Sequence, residues 1–156
     1  QIVEVDYSSP KHCASVEQLI NEYVQDPLET GQPLREDVRT RLVRGLQENP
    51  TLVLLAQQDE AYVGIAVCLR GYTTFSARPA LNIHDLAVTS TCRGQGVGSA
   101  LLEAVEERAR QSDCARLTLE VRAANQDARR LYERFGFTGS QYETEDGATL
   151  FCVKRL

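Results

Sequence analysis

The sequence contains no methionine and only two histidines, His12 and His84. Two imidazoles are too few for a histidine-rich metal cluster, and no metal is expected. The five cysteines, Cys13, Cys68, Cys92, Cys114 and Cys152, are scattered, odd in number and never spaced as CxxC. That pattern argues against a disulfide frame or a zinc site and points to reduced thiols in the cytoplasm. Cys68 and Cys152 sit inside apolar runs and read as small core residues. No apolar run approaches the roughly 20 residues needed to cross a bilayer, and no signal-peptide pattern opens the chain. Nor is there a basic excess. Lys and Arg number 17 against 22 Asp and Glu, and a net charge of −5 is a poor match for nucleic acid phosphates.

What is present reads as one domain. A chain of 156 residues suits a single unit over 1–156 and can bury about two-thirds of its unfolded surface without staples. Ile2 to Val5 alternates as a short strand. Ser15 to Val24 carries apolar residues at helical spacing, with Ser15 and Gln18 as a capping box. Val38, Leu42 and Leu46 mark a second helix that begins near Arg35 and stops at Asn49-Pro50. Thr51–Gln57 and Ala61–Arg70 form a hairpin around Gln58-Asp59-Glu60. After a loop over 71–79, Leu81–Val88 is a strand interrupted by the polar pair His84-Asp85. A glycine-rich turn then leads into a helix from Ser99 to about Arg110. A strand over 116–122, a helix from Asn125 to Phe135, and a closing pair over 141–144 and 149–154 around Asp146-Gly147 complete the chain. Hairpins alongside a strand–helix–strand unit indicate a mixed α/β sheet of six to seven strands with about four helices.

The turn Arg93-Gly94-Gln95-Gly96-Val97-Gly98, followed by Ser99, is the most chemically specific stretch. Glycines let backbone approach a ligand closely, and the first turn of a helix holds unpaired N–H groups with partial positive charge. Together they suit a pyrophosphate, to which Arg93 can add a charged contact. A P-loop is excluded because no Gly-Lys-Ser/Thr follows. A nicotinamide-dinucleotide turn wants glycine where Ser99 stands, although Glu120 lies roughly where a ribose-binding acid would fall. That reading stays open as an alternative.

Arg93-x-x-Gly96-x-Gly98 resembles the acetyl-CoA pyrophosphate signature of the GNAT superfamily of N-acetyltransferases. Leu86-Ala87-Val88 resembles the strand before it. Asn125-x-x-Ala128-x-x-Leu131-Tyr132-x-x-x-Gly136-Phe137 resembles the family's second cofactor segment. The resemblance implies a twisted mixed sheet in which the strands at 81–88 and 116–122 are parallel, central and splayed. Pantetheine would lie between them, bonded to backbone at Leu86 and Val88, with the pyrophosphate on N–H groups of residues 94 to 99. Asn125 would bond pantetheine and cap its helix, and Arg129 and Arg130 would lie near the phosphates or be solvated.

The activity implied is direct acetyl transfer from acetyl-CoA to the primary amine of a small molecule, with a possible homodimer. Tyr132 matches the position of the acid that protonates the departing sulfur. His84 stands where the family often places a base, with Asp85 and water as alternatives. Adjacent strand residues face opposite ways, so one of the pair is expected to face the site. Glu22, Tyr23, Asp26, Tyr72 and Phe75 are candidates for acceptor contacts. The pattern from Tyr72 to Val88 is similar to polyamine and thialysine acetyltransferases, which points toward a polyamine-like amine. A non-catalytic acyl-CoA sensor is the remaining alternative; Tyr132 and His84 count against it.

Overall fold

The structure is a computed structural model that describes residues 1–145 and 147–156. The chain runs β1 (Ile2–Glu4), α1 (Pro10–Tyr23), α2 (Glu36–Glu48), β2 (Thr51–Gln58), β3 (Ala61–Thr73) and β4 (Arg78–Val88). A single 3₁₀ turn over Ser90–Cys92 follows, then α3 (Val97–Gln111), β5 (Arg116–Arg122), α4 (Gln126–Arg134), β6 (Thr138–Thr144) and β7 (Gly147–Arg155). Seven strands join in the order β1-β2-β3-β4-β5-β7-β6. Every neighbouring pair is antiparallel except β4 and β5. The mixed α/β architecture expected from the sequence is therefore the one observed, with four α-helices among the described residues and the parallel pair in place.

Strand alternation sorts the core onto two faces. Leu52, Leu54, Ala66, Cys68, Leu81 and Ile83 turn toward α3 and α4, meeting Leu101, Leu102, Val105 and Tyr132. Val53, Leu55, Ile65 and Val67 turn the other way, toward Val16, Leu19 and Ile20 of α1 and the partly buried Leu42 and Leu46 of α2. Fully buried side chains such as Leu55, Leu101 and Leu117 each contribute roughly 1.5–3 kcal/mol of burial.

Three boundaries differ most from the expectation, beyond shifts of two residues at the starts of α3 and β7. Helix α1 begins at Pro10, not Ser15. Ser9 is its N-cap, accepting from the His12 amide at 3.4 Å, and Pro10 occupies a first-turn position where no amide is needed. Ser15 instead lies inside the helix and donates its hydroxyl to the Lys11 carbonyl at 2.8 Å. The loop over 71–79 shrinks to residues 74–77, because β3 and β4 stay paired to Thr73 and Arg78. Strand β6 starts at Thr138, held in register by Val153. Of the expected Asp146-Gly147 turn, Asp146 lies outside the described residues.

Candidate active site

The site opens where two parallel strands part. Ladder pairing between β4 and β5 runs from Ala80–Arg116 to Ile83–Leu119 and stops there, while β4 continues to Val88 and β5 to Arg122. On the other edge of β4, the Thr89 amide donates to the Val63 carbonyl at 2.9 Å. Hydrogen-bonded and non-hydrogen-bonded positions alternate along an antiparallel pair. Ala87 therefore turns its main chain to β3, and Leu86 and Val88 turn theirs into the gap left by β5. Leu86 and Val88, the two residues expected to bond a ligand through backbone, thus turn their main chain to the gap, whereas Ala87 between them does not.

The glycine-rich turn sits directly beyond Val88. Gly94 (φ +75°) and Gly96 (φ +85°) both occupy the left-handed region, and Gly96 is the N-cap of α3. A Cβ at either would meet no atom within 4 Å, so both border open space. The first intrahelical bond runs from the Ala100 amide to the Gly96 carbonyl at 3.0 Å, which leaves the Val97, Gly98 and Ser99 amides as the first-turn donors. Gly98 has a different reason to be glycine. A Cβ there would lie 3.3 Å from Leu131 Cδ2, so its absence lets α3 approach α4.

Four residues expected at the ligands are instead tied to the frame of this turn. Arg93 donates from Nε to the Val88 carbonyl at 3.1 Å and from Nη2 to Asp26 Oδ2 at 3.0 Å. That contact and the Leu28 amide, the larger cause, hold the Asp26 carboxyl below its ordinary range. Glu22 receives the Thr89 hydroxyl on both carboxylate oxygens, at 2.5 and 2.6 Å. Glu22 and Asp26 therefore anchor the exit of β4 to α1 and its following loop. Gln95 likewise folds back, donating its amide to the Thr91 carbonyl at 2.9 Å.

Across the gap, the start of α4 is capped by Asn125, whose side chain accepts from the Ala128 amide at 3.2 Å. The helix ends in a Schellman motif. The Phe137 amide bonds to the Tyr132 carbonyl and the Gly136 amide to the Glu133 carbonyl, each at 3.0 Å, with Gly136 at φ +82°. The apolar contact that accompanies this motif is Tyr132 against Phe137, rings 5.9 Å apart and edge-to-face. That local geometry fixes the Tyr132 ring, and burial pushes its phenol pKa up, so it holds its proton at neutral pH. Arg129 donates to the Ala123 carbonyl at 3.0 Å, and exposed Arg130 pairs with Asp127 at 2.8 Å.

The pair His84-Asp85 departs from simple alternation. Val67 faces Asp85 while Cys68 faces Ile83, so His84 is an extra residue in β4, a β-bulge. As a result both residues line one cavity on the α1/α2 face, where the sequence led us to expect only one. His84 is exposed and Asp85 half-buried. Desolvation raises the Asp85 pKa, His84 draws it down, and Glu29 pushes it up. Tyr23 stands beside them, its hydroxyl donating to Glu29 Oε1 at 3.0 Å. Burial, then Glu29 and Asp85, raise the Tyr23 pKa, and Tyr132 adds to it. Glu29 is a member of this cluster that sequence reasoning missed. It lies between α1 and α2, after Pro27, where no periodicity marks it. Tyr72 and Phe75, by contrast, are exposed at the far end of the β3–β4 hairpin. Six residues of strand, roughly 20 Å, separate Pro79, the partner of Tyr72, from Asp85, so these aromatics do not belong to the site.

A splayed parallel pair with a glycine-capped helix N-terminus beside it and titratable groups on the neighbouring face is the frame into which the comparisons fall. The model of the acetyltransferase (GNAT) family matches residues 16–137, and the chain belongs to that family. It is 28% identical over 108 residues to the uncharacterized N-acetyltransferase YhfO of Bacillus subtilis, a match covering 69% of each chain. N-acetyltransferase 8F1 of Rattus norvegicus is 32% identical over 123 residues, 73% of this chain and 56% of the rat protein. Thialysine N-epsilon-acetyltransferase of Bos taurus is 33% identical over 79 residues, 51% of this chain and 46% of the bovine one. The matched segment thus spans only about half of the rat and bovine proteins. Among solved structures, yncA of Salmonella typhimurium with its cofactor acetyl-CoA has the same fold (TM-score 0.76, 20% identity, 100% of this chain and 93% of that one).

Proposed function

We propose that residues 1–156 form one acetyltransferase domain that moves the acetyl group of acetyl-CoA directly onto the primary amine of a small molecule. The observation that carries this reading is the parting of β4 from β5 beside the first turn of α3. There, the main chain of Leu86, the Val88 N–H and the first amides of α3 stand open to an extended, anionic ligand, while the Val88 carbonyl is held by Arg93. The open space at Gly94 and Gly96 fits a pyrophosphate against backbone, and Asn125, the N-cap of α4 just after β5, is assigned to the pantetheine arm. Bound there, acetyl-CoA supplies an activated thioester.

The chain's own groups do the rest. Asp85, aided by His84 or a water, takes the proton from the incoming ammonium so that the neutral amine attacks the carbonyl carbon. The Val88 N–H meets the charge developing on the carbonyl oxygen, a contact worth a few kcal/mol. As the carbon–sulfur bond breaks, Tyr132 gives its phenolic proton to the sulfur, and the second proton shed by the acylated nitrogen returns to the phenolate through water. No cysteine is needed as a nucleophile: burial pushes the Cys68 thiol up to about 12, and Cys114 and Cys152 are raised for the same reason. All five cysteines are free, which supports a reducing, cytoplasmic setting. The exposed outer strand β6 offers an edge for pairing with a second copy.

The proposal is tested by thermal unfolding with acetyl-CoA, CoA, NAD and NADP. A ligand at 100 times its dissociation constant adds about 2.7 kcal/mol of stability. Stabilisation by the CoA species alone is expected; stabilisation by NAD or NADP alone would replace this reading with a dinucleotide site. Tyr132→Phe keeps the edge-to-face contact with Phe137 and removes only the hydroxyl. It is expected to lower kcat at least roughly tenfold, a modest share of what a positioned acid supplies, with CoA affinity unchanged. Undiminished turnover in a thiol-release assay would remove Tyr132 from the mechanism.

A further inference from the structure

A cavity of about 660 Å³ lies between α2 and the sheet, within the size range of small-ligand sites. It exists because α2 does not close on β3. The helix turns Val38, Leu42 and Leu46 toward the sheet, yet none of its residues is buried. Gly45 lies on the same stripe, one turn beyond Leu42, and a Cβ there would meet no atom within 4 Å. Val67 and Leu69 of β3 form the opposite wall, and Leu69 is 38% exposed. Apolar surfaces of this kind are expected to pack together unless something occupies the space between them.

One end of the cavity is charged. Among the described residues that line it, Asp85 is the only acid, and no described side chain donates a hydrogen bond to its carboxylate. A carboxylate partly removed from water and unpaired favours a cation as its partner. Three basic residues also line the cavity: Arg41 is held at the exposed rim by Asp37 at 2.9 Å, Arg70 is exposed at the outer part of β3, and exposed His84 adjoins Asp85. The rest of the lining offers no second carboxylate. Glu29, the other carboxylate near Asp85, does not line the cavity, so a polycation entering it would set its inner ammonium groups against Val38, Leu42 and Leu69 at a desolvation cost those side chains do not offset.

We infer that the acceptor is a primary amine carried on an uncharged apolar body, alkyl or arylalkyl, whose ammonium meets Asp85 and whose body fills the cavity beneath α2. This assignment rests on the acetyltransferase reading and replaces the polyamine-like acceptor suggested by sequence pattern with a different amine class.

The test is a thiol-release assay at saturating acetyl-CoA with ethylamine, hexylamine, 2-phenylethylamine and spermidine. The expected result is a kcat/KM for hexylamine and 2-phenylethylamine about tenfold or more above that for ethylamine and spermidine, as added apolar contact in a fitted pocket provides. Gly45→Leu fills open space on a helix face and replaces a poor helix former with a good one, so the fold is retained. It should lower kcat/KM for hexylamine and 2-phenylethylamine about tenfold while leaving ethylamine within about twofold. Preference for spermidine, equal losses for all four amines in the variant, no change for any, or no acetylation of any overturns the assignment. The rise in unfolding temperature with CoA is read on the same samples. If it is present while the amine results fail, only the acceptor assignment falls; if it is missing from the unsubstituted protein, both readings fall.

Discussion

Replacing Gly96 by valine is expected to abolish coenzyme A binding while leaving the sheet folded. Two independent reasons converge on this position. Gly96 holds φ +85° as the N-cap of α3, a region that costs an L-residue roughly 1–2 kcal/mol and is worst for β-branched side chains. The strain pushes the turn away from the geometry that aims the Val97, Gly98 and Ser99 amides outward. In addition, a Cβ at Gly96 projects into space that is empty of protein atoms within 4 Å, the space proposed for the pyrophosphate. A branched side chain there keeps the anion from reaching the backbone. A weakening of about 100-fold in affinity corresponds to about 2.8 kcal/mol, which strain and obstruction together readily reach. Isothermal titration with CoA reads the effect directly, and circular dichroism checks that the fold persists. Retained binding would mean that the anion site lies elsewhere.

How far the sequence alone discloses such a site depends on whether a residue's role is local. Gly96 and the α4 segment are legible because their geometry is written in adjacent residues. Asn125 caps with its own side chain, and Gly136-Phe137 closes the same helix around Tyr132 within six residues. The start of α1 is ambiguous for the same reason in reverse. Both Ser9-Pro10 and Ser15-x-x-Gln18 carry local cap chemistry, and the helix takes the earlier one because residues 10 to 14 are free to wind. Roles set by distant partners are not legible. Glu22 and Asp26 look like receivers of a cationic substrate, yet their partners Thr89 and Arg93 lie 67 residues away. The bulge at His84 is hidden too, because a period-two reading assumes that every strand residue has an opposite number. Glu29 joins the cluster only through the path of the α1–α2 loop, which no periodicity encodes.

Asp85→Asn is expected to be slower and, at neutral pH, more stable than the unsubstituted protein. If Asp85 takes the amine's proton, the amide cannot, and kcat falls by about 10²–10⁴-fold, the usual contribution of a positioned base. The stability change follows from the direction of its pKa. Burial raises the folded-state value above the ordinary 3.8, so between the two values the folded protein binds more protons than the unfolded chain. By linkage, stability then falls as pH rises through this window. Below 3.8 the group is neutral in both states and costs nothing; above its folded pKa the full desolvation cost of the charge is present. Asparagine, nearly isosteric and uncharged, removes that cost. Urea unfolding from pH 4 to pH 7.5 should therefore show the variant and the unsubstituted protein close together at the acid end. They should separate in favour of the variant toward neutrality. The same ionisation should appear as the acid limb of kcat/KM in the unsubstituted protein and vanish in the variant. A variant less stable at pH 7.5 would mean that the carboxylate has a stabilising partner in the folded protein. A variant that is more stable but equally fast would leave the electrostatics intact and move the base to His84.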